Sequence, residues 1–500
     1  MKNLIIMDSQ RTCKISKTSI IGTLKIFQLS LALIALTYIS CKKLVDVKAP
    51  VTSVNAANAY TTDASAISVV TTMYKRMSSN QEGFTGLRSI SLMTGLSADE
   101  FTLYNGVTDL TYIAYYQNSL VANNSQNYGS EFWSQFYNYI YVCNSAIEGM
   151  STSSGLTPGV KQQLLGEVKF MRAFIYFYLV NMYGNVPLVV TTDWNINSKI
   201  SNASKEQIYQ QIISDLKDAE GLLSENYLDG TLQNAAPDKL RPTKWAAIAM
   251  LARVYLYNGD FSNAVSKASA LINSNLFSLD SLNGTFLKNS NEAIWQLQPT
   301  VSGHNTEDAW MFIIPSTGPN NIAGHSTGQP VYLSSSLLNS FEVADQRKLS
   351  WINNVAVNGN TYYYPYKYKS ATLNAPITEY LMVLRLGEQY LIRAEAEAQQ
   401  NKISESQADL NVIRTRAGLS DTNATNQSSL LSAIIHERQV ELFSEWGHRW
   451  FDLKRTGNID AVMSVVTPQK GGIWQTTDQL YPILFADILR NPNLKQNTGY

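Results

Sequence analysis

TPGVKQQLLGEVKFMRAFIYFYLVNMYGNVP, residues 157–187, decides the fold class. Leu164, Val168, Met171, Ile175, Tyr178 and Met182 recur at steps of three and four, the period at which side chains return to one face of an α-helix. Thr157 is placed to cap, and Pro158 takes the first helical position, where its missing N–H forfeits no hydrogen bond. At the far end Gly184 supplies a left-handed conformation and Pro187 bars continuation. The spacing predicts one long amphipathic helix over 158–183. Ser204 and Gln207 form a capping box ahead of Ile208, Ile212, Leu216, Ala219 and Leu223, which share a face, so an antiparallel partner helix follows.

The same kind of pair returns along the chain. A small residue followed three positions later by tyrosine marks each first helix, at Ala173 and Tyr176, Ala252 and Tyr255, Gly387 and Tyr390, and Thr71 and Tyr74. The small residue leaves room for close approach by a neighbouring helix. Inward alanines at Ala219, Ala264, Ala408 and Ala146 mark the matching second helices. Leu251-Ala252 with Tyr255 and Ala264, and Leu386-Gly387 with Tyr390, resemble the tetratricopeptide pattern, in which helix pairs stack into a curved solenoid. The pairs are not in tandem, so the expectation is four helix pairs interrupted by large insertions.

The amino-terminal stretch has a different character. Lys2, Arg11, Lys14, Lys17 and Lys25 form a basic leader before the apolar run IFQLSLALIALTYISC at 26–41, which is too short to span a bilayer and ends on Ser40 and Cys41. That pattern predicts a lipoprotein signal peptide over 1–40, with lipidation at Cys41. Residues 41–59 read as a tether, with Pro50 opposing helix. Beyond residue 40 the chain carries a net charge of −4 and no basic face, which argues against nucleic acid as a partner. With Cys13 in the leader and Cys41 lipidated, Cys143 stands alone, so no disulfide framework or cysteine metal site is possible, and no cofactor or metal is expected.

Several motifs resemble catalytic signatures and fail on context. Gly324-His325-Ser326-Thr327-Gly328 fits G-x-S-x-G, but Pro319-Asn320-Asn321 precedes it and Gln329-Pro330 follows, so the strand and helix that hold a nucleophile elbow are missing. His436-Glu437 is followed by Val440 where a zincin needs histidine. Asp99 and Glu100 are adjacent carboxylates in an aromatic-rich segment, the one pair a glycosidase reading could use, yet adjacent residues on a strand point apart. The chain therefore reads as a non-enzyme.

Six segments carry a family resemblance: LLGEVKFMRAFIYFYLVNMYGNVPLV (164–189), RPTKWAAIAMLARVYLYNGDFSNAVSKASALI (241–272), LRLGEQYLIRAEAEA (384–398), ADLNVIRTRAGL (408–419), HERQVELFSEWGHRWFDLKRTG (436–457) and YPILFADILRNPNLKQNTGY (481–500). From Cys41 to Tyr500 the chain resembles the SusD/RagB family of outer-membrane nutrient-uptake lipoproteins. The resemblance implies a mainly α fold of four tetratricopeptide-like helix pairs forming a curved scaffold, with a large inserted lobe of loops and short strands. It divides the chain into a SusD-like part over 60–290, with a loop insertion at 98–130, and a RagB/SusD part over 291–500. The second part comprises a loop and strand lobe at 291–380, closing helices at 381–457 and a carboxy-terminal tail. It implies an outer-membrane protein facing the cell exterior that captures oligo- or polysaccharide for a SusC-like TonB-dependent transporter. The alternatives are a glycoside hydrolase using Asp99 or Glu100, and a peptide-capturing lid of the same transporter type.

On that reading Arg172, Arg253, Arg393 and Arg414 are pairing groups between helices. Glu437, Glu441, Glu445, His448, Arg449 and Asp452, beside Trp446 and Trp450, belong to the closing helices and not to a catalytic site. Sugar capture needs exposed ring faces rimmed by hydroxyl partners. The aromatic, polar stretches at 98–130, 276–345 and 361–368 offer them, with a strand predicted over 293–298. Trp310, Tyr104 and Tyr116 are the candidate rings, with Asp99 and Asn105 as polar partners. Trp310 has a rival reading, as the buried head of a strand through Met311, Phe312, Ile313 and Ile314.

Overall fold

A computed structural model describes residues 58–79, 83–321 and 328–500. The leader, Cys41, the tether up to residue 57 and the first four residues of the Gly324–Gly328 motif lie outside them.

The decisive helix forms as its pattern requires. It runs Pro158–Tyr183 and ends on Gly184 at φ +71°, a conformation a Cβ would oppose. Thr157 departs from the expected capping role. Its hydroxyl donates to Asp63 Oδ2 at 2.6 Å and its N–H to Oδ1 at 2.9 Å, which ties this helix to the start of the first one. The partner helix, Lys205–Leu222, keeps the expected box, with the Ser204 and Gln207 side chains each bonded to the other's backbone N–H.

Four pairs stack in chain order. We label them α1 (Asp63–Met77) with α2 (Trp133–Thr152), α3 (Pro158–Tyr183) with α4 (Lys205–Leu222), α5 (Lys244–Tyr257) with α6 (Phe261–Ile272), and α7 (Leu386–Gln399) with α8 (Ile403–Arg416). Each pair packs against the next, α3 on α1 and α2, α4 on α5, and α6 on α7. The marker alanines Ala146, Ala173, Ala219, Ala252 and Ala264 are buried, whereas Ala408, expected to face inward, is exposed, with Asp409 and Leu410 beside it taking the inner face of α8. Gly387 has a more specific reason to be small: a Cβ there would come within 2.7 Å of both Arg385 and Glu292. Two closing helices, α9 (Gln427–Glu441) and α10 (His448–Arg455), complete the scaffold.

Arginines inside this scaffold are ion-paired, as burial demands. Arg172 binds Asp215, Arg253 binds Glu388 and Arg393 binds Asp409, each through two nitrogens at 2.5–2.8 Å. Arg414 reaches Glu342 and Glu437. Glu441 and Glu445 receive Arg385, and Lys367 joins Glu445 at 2.5 Å. Cys143 is buried, and its thiol is pushed up to about 12 by loss of solvent.

The inserted lobe is built from short antiparallel strands: β1 (Phe101–Leu103), β2 (Ala293–Leu297), β3 (Val331–Leu333), β4 (Ile352–Val357), β5 (Asn360–Pro365) and β6 (Leu381–Arg385). β1 pairs with β3, β2 with β6, and β4 with β5 as a hairpin. β2 is the strand predicted near 293–298, and it is buried at every residue.

Candidate functional site

Strand pairing gathers four tyrosines on one surface of the lobe. In β1 and β3 Phe101 sits opposite Leu333 and Leu103 opposite Val331. Between them Thr102 faces Tyr332. Phe101, Val331 and Leu333 are buried, while Thr102 and Tyr332 point the other way and stay half-exposed, as alternation along a pleated strand dictates. Tyr104, two residues after Thr102, continues that outer face, and its N–H donates to Pro330 O at 2.8 Å.

β5 packs beside β3 and adds Tyr362. Its ring meets Tyr332 edge-on at 5.2 Å and Tyr104 edge-on at 6.5 Å. Tyr116, from the helix Leu110–Tyr116, closes the group against Thr102 and Tyr332. Partial burial raises the phenol of Tyr116, and burial with the nearby Tyr362 raises that of Tyr332. The four rings are half-buried, and the hydroxyls of Tyr104, Tyr332 and Tyr362 have no protein partner among the described residues. Asn105 is exposed at the edge. Thr108 and Asn321 join the rim loops through two hydrogen bonds, at 3.1 and 3.4 Å.

The other residues singled out by sequence lie elsewhere. Asp99 is 2% exposed and takes both Arg449 Nε at 2.7 Å and Nη2 at 2.8 Å. Burial alone would raise its carboxyl, but the guanidinium holds it below the ordinary value. It is therefore an internal ion-pair partner and presents no free acceptor at the surface. Glu100 is equally buried and accepts from Ser444 N–H at 3.2 Å. Burial and then the charge of Asp99 push its carboxyl up to about 8. Neither carboxylate is open to a glycosidic bond. Two further tyrosines of the 98–130 stretch, Tyr112 and Tyr115, are core residues, donating to Leu87 O and to Glu131 at 2.6 Å.

Trp310 does not head a strand. Thr306 caps the short helix Glu307–Phe312, with Glu307 and Asp308 in the first turn, and Trp310 belongs to it. The indole is half-buried and lies flat on His304, with centroids 4.0 Å apart and planes 13° from parallel. One ring face is thus occupied by the chain itself. Its carbonyl accepts from Gln329 at 2.8 Å, beside the Pro330 that holds Tyr104.

Lys470 supports the cluster from beneath. Its buried amine donates to Leu96 O at 2.7 Å and to Ala98 O, and lies 5.1 Å from the Tyr116 ring centroid. Burial pulls it down to about 7. Sequence reading singled out Tyr104, Tyr116 and Asn105, and the structure places Tyr332 and Tyr362 beside the two rings, a grouping that reading did not name. The alternation of tyrosine at 361–368 was the available signal.

The arrangement offers π-faces and free phenols on a braced surface. Such chemistry binds polar, C–H-rich ligands, because ring faces cover apolar patches while hydroxyls and amides take hydrogen bonds. Known proteins share its scaffold. The profile of the SusD family matches residues 350–500. A SusD-like profile described as starch-binding and associating with the outer membrane matches residues 37–256. SusD-like protein P2 of Formosa agariphila is 27% identical over 430 residues, spanning 74% of this chain and 80% of the relative. A laminarin-binding SusD-like protein has a TM-score of 0.72 at 22% identity, covering 88% of this chain and 100% of that one. Surface glycan-binding protein A from Bacteroides fluxus has a TM-score of 0.70 at 23% identity, covering 87% and 99%. At these identities the structures establish a common fold.

Proposed function

This chain belongs to the SusD/RagB family, and from that premise we propose that it is a lipid-anchored outer-membrane protein that captures oligo- or polysaccharide for a SusC-like TonB-dependent transporter. The observation that carries the reading is the group of Tyr104, Tyr332 and Tyr362, closed by Tyr116, braced by strand pairing and with the hydroxyls of the first three left without protein partners among the described residues. Asn105 serves as a rim hydrogen-bonding group. Trp310, with one face on His304, acts from behind the loop that carries Gln329 and Pro330. The names of the laminarin-binding and glycan-binding relatives support a carbohydrate ligand, and the description of the matched profile supports an outer-membrane setting. The anchor would be Cys41, whose two acyl chains supply stable attachment where one chain would not.

The test is a panel of polysaccharides assayed for retention of the protein in native gels and for release of new reducing ends. Retention without reducing ends is expected. Reducing ends from the purified protein would support the hydrolase alternative, and retention by peptides alone would support the peptide-binding one.

A further inference from the structure

Trp194 is the one exposed tryptophan of the nine in the chain, with 75% of its surface open to solvent. A large apolar ring left in water gains nothing for the fold, so its setting bears on its use. The loop beneath it is firmly held. Glu148 of α2 accepts from the Thr191 hydroxyl at 2.8 Å, the Thr192 N–H at 2.9 Å and the Thr192 hydroxyl. Asn144 donates to Val189 O at 3.0 Å and is itself fixed by Arg172 at 2.8 Å. Asn197 returns to Thr191 O at 2.7 Å, and Asn491 secures Ile200 O at 2.8 Å from the carboxy-terminal tail.

The ring is therefore displayed on a rigid mount, which keeps the entropic cost of ordering it on contact low. Tyr141, 57% exposed, stands on α2 one turn before Asn144 and two before Glu148, on the helix face that holds the loop. Polar residues flank Trp194 in the chain. Asp193 and Asn195, on either side of it, are both exposed, and Asp193 spends one carboxylate oxygen on the Asn195 N–H at 2.8 Å.

We propose that Trp194, with Asp193, Asn195 and Tyr141, is a second carbohydrate-contact platform, separate from the tyrosine cluster. An open ring face next to a carboxylate and an amide matches the alternating C–H and hydroxyl surface of a sugar. The acidic side chains Asp193 and Glu148 count against an anionic bilayer as the occupant. The inference rests on the glycan-capture reading and adds a contact to it. Two platforms on one chain raise avidity for a long glycan without requiring strong binding at either.

The experiment is affinity electrophoresis in gels containing laminarin, starch or hemicelluloses, using the full mature chain. Trp194→Ala should weaken retention by the polysaccharide that retards the parent roughly three- to tenfold, while Trp194→Phe keeps most of it and both melt as the parent does. Combined with Tyr362→Ala, it should weaken retention beyond either change alone. If Trp194→Ala is retained like the parent while Tyr362→Ala is not, the second platform is overturned and the capture reading stands. If Trp194→Ala keeps its glycan retention but no longer co-purifies with a membrane protein, the patch is a protein interface and the proposal is overturned. A parent that no polysaccharide retards overturns both readings.

Discussion

The tyrosines buried in the helix-pair scaffold and those of the lobe's surface cluster are used in opposite ways. In the scaffold region, the Tyr74 hydroxyl donates to Glu167 at 2.8 Å, that of Tyr176 to Val189 O at 2.9 Å and that of Tyr183 to Gly129 O at 3.0 Å. In the lobe, Tyr104, Tyr332 and Tyr362 touch one another through their rings and leave their hydroxyls without protein partners among the described residues. The contrast teaches where stability and function separate. A polar group satisfied inside the fold holds the fold, whereas one left unsatisfied at a rigid surface is available to a ligand.

The sharpest way to break the scaffold is at a buried clamp between two of its helix pairs, α5 and α7. Arg253 and Glu388 are 1% and 2% exposed at their side chains. Arg253→Leu leaves Glu388 buried and uncompensated, and should cost about 3–5 kcal/mol in chemical denaturation. Arg253→Leu with Glu388→Leu should recover much of that loss, because no lone charge remains.

This half of the molecule was legible because its signals are local. The caps, the helical period of Leu164 to Met182 and the terminal Gly184 all lie within one segment, and the four pairs followed from them. The site was less legible because its contacts are distant in sequence. Asp99 reads as a surface acceptor until Arg449, 350 positions away, is found on it. Tyr104 and Tyr332 are brought together by the register of β1 and β3, which no local spacing encodes. The rival reading of Trp310 as the head of a strand fails for a nearer reason. The apolar run after it resembles a strand, but the Thr306 cap and the acidic pair Glu307 and Asp308 favour a helix.

A pH titration tests the boundary between the two regions. Glu100 has its carboxyl raised to about 8 in the folded chain, chiefly by burial and then by Asp99. The folded state thus holds this proton more tightly than the unfolded one. The associated stability is whole below the ordinary value of 4.5 and is lost as pH rises through about 8. Glu100→Gln should match the parent near pH 5 and become the more stable form by pH 9, by on the order of 2–4 kcal/mol.

Trp310 sits between the two categories, packed on one face and half-exposed. Trp310→Ala should cost about 1–2 kcal/mol of stability, less than a fully buried aromatic, and should weaken glycan retention less than loss of a cluster tyrosine. A larger effect on retention than that of Tyr362→Ala would move the centre of the site from the tyrosines to the indole.

The most direct test of the account is Tyr362→Ala, because that ring meets both Tyr104 and Tyr332 edge-on. Titration of the parent and the variant with the retained polysaccharide, together with their thermal melts, separates binding from folding. The account predicts an affinity loss of roughly ten- to thirtyfold with a melting temperature within about 2 °C of the parent. A folded Tyr362→Ala protein that binds the polysaccharide as the parent does would contradict it.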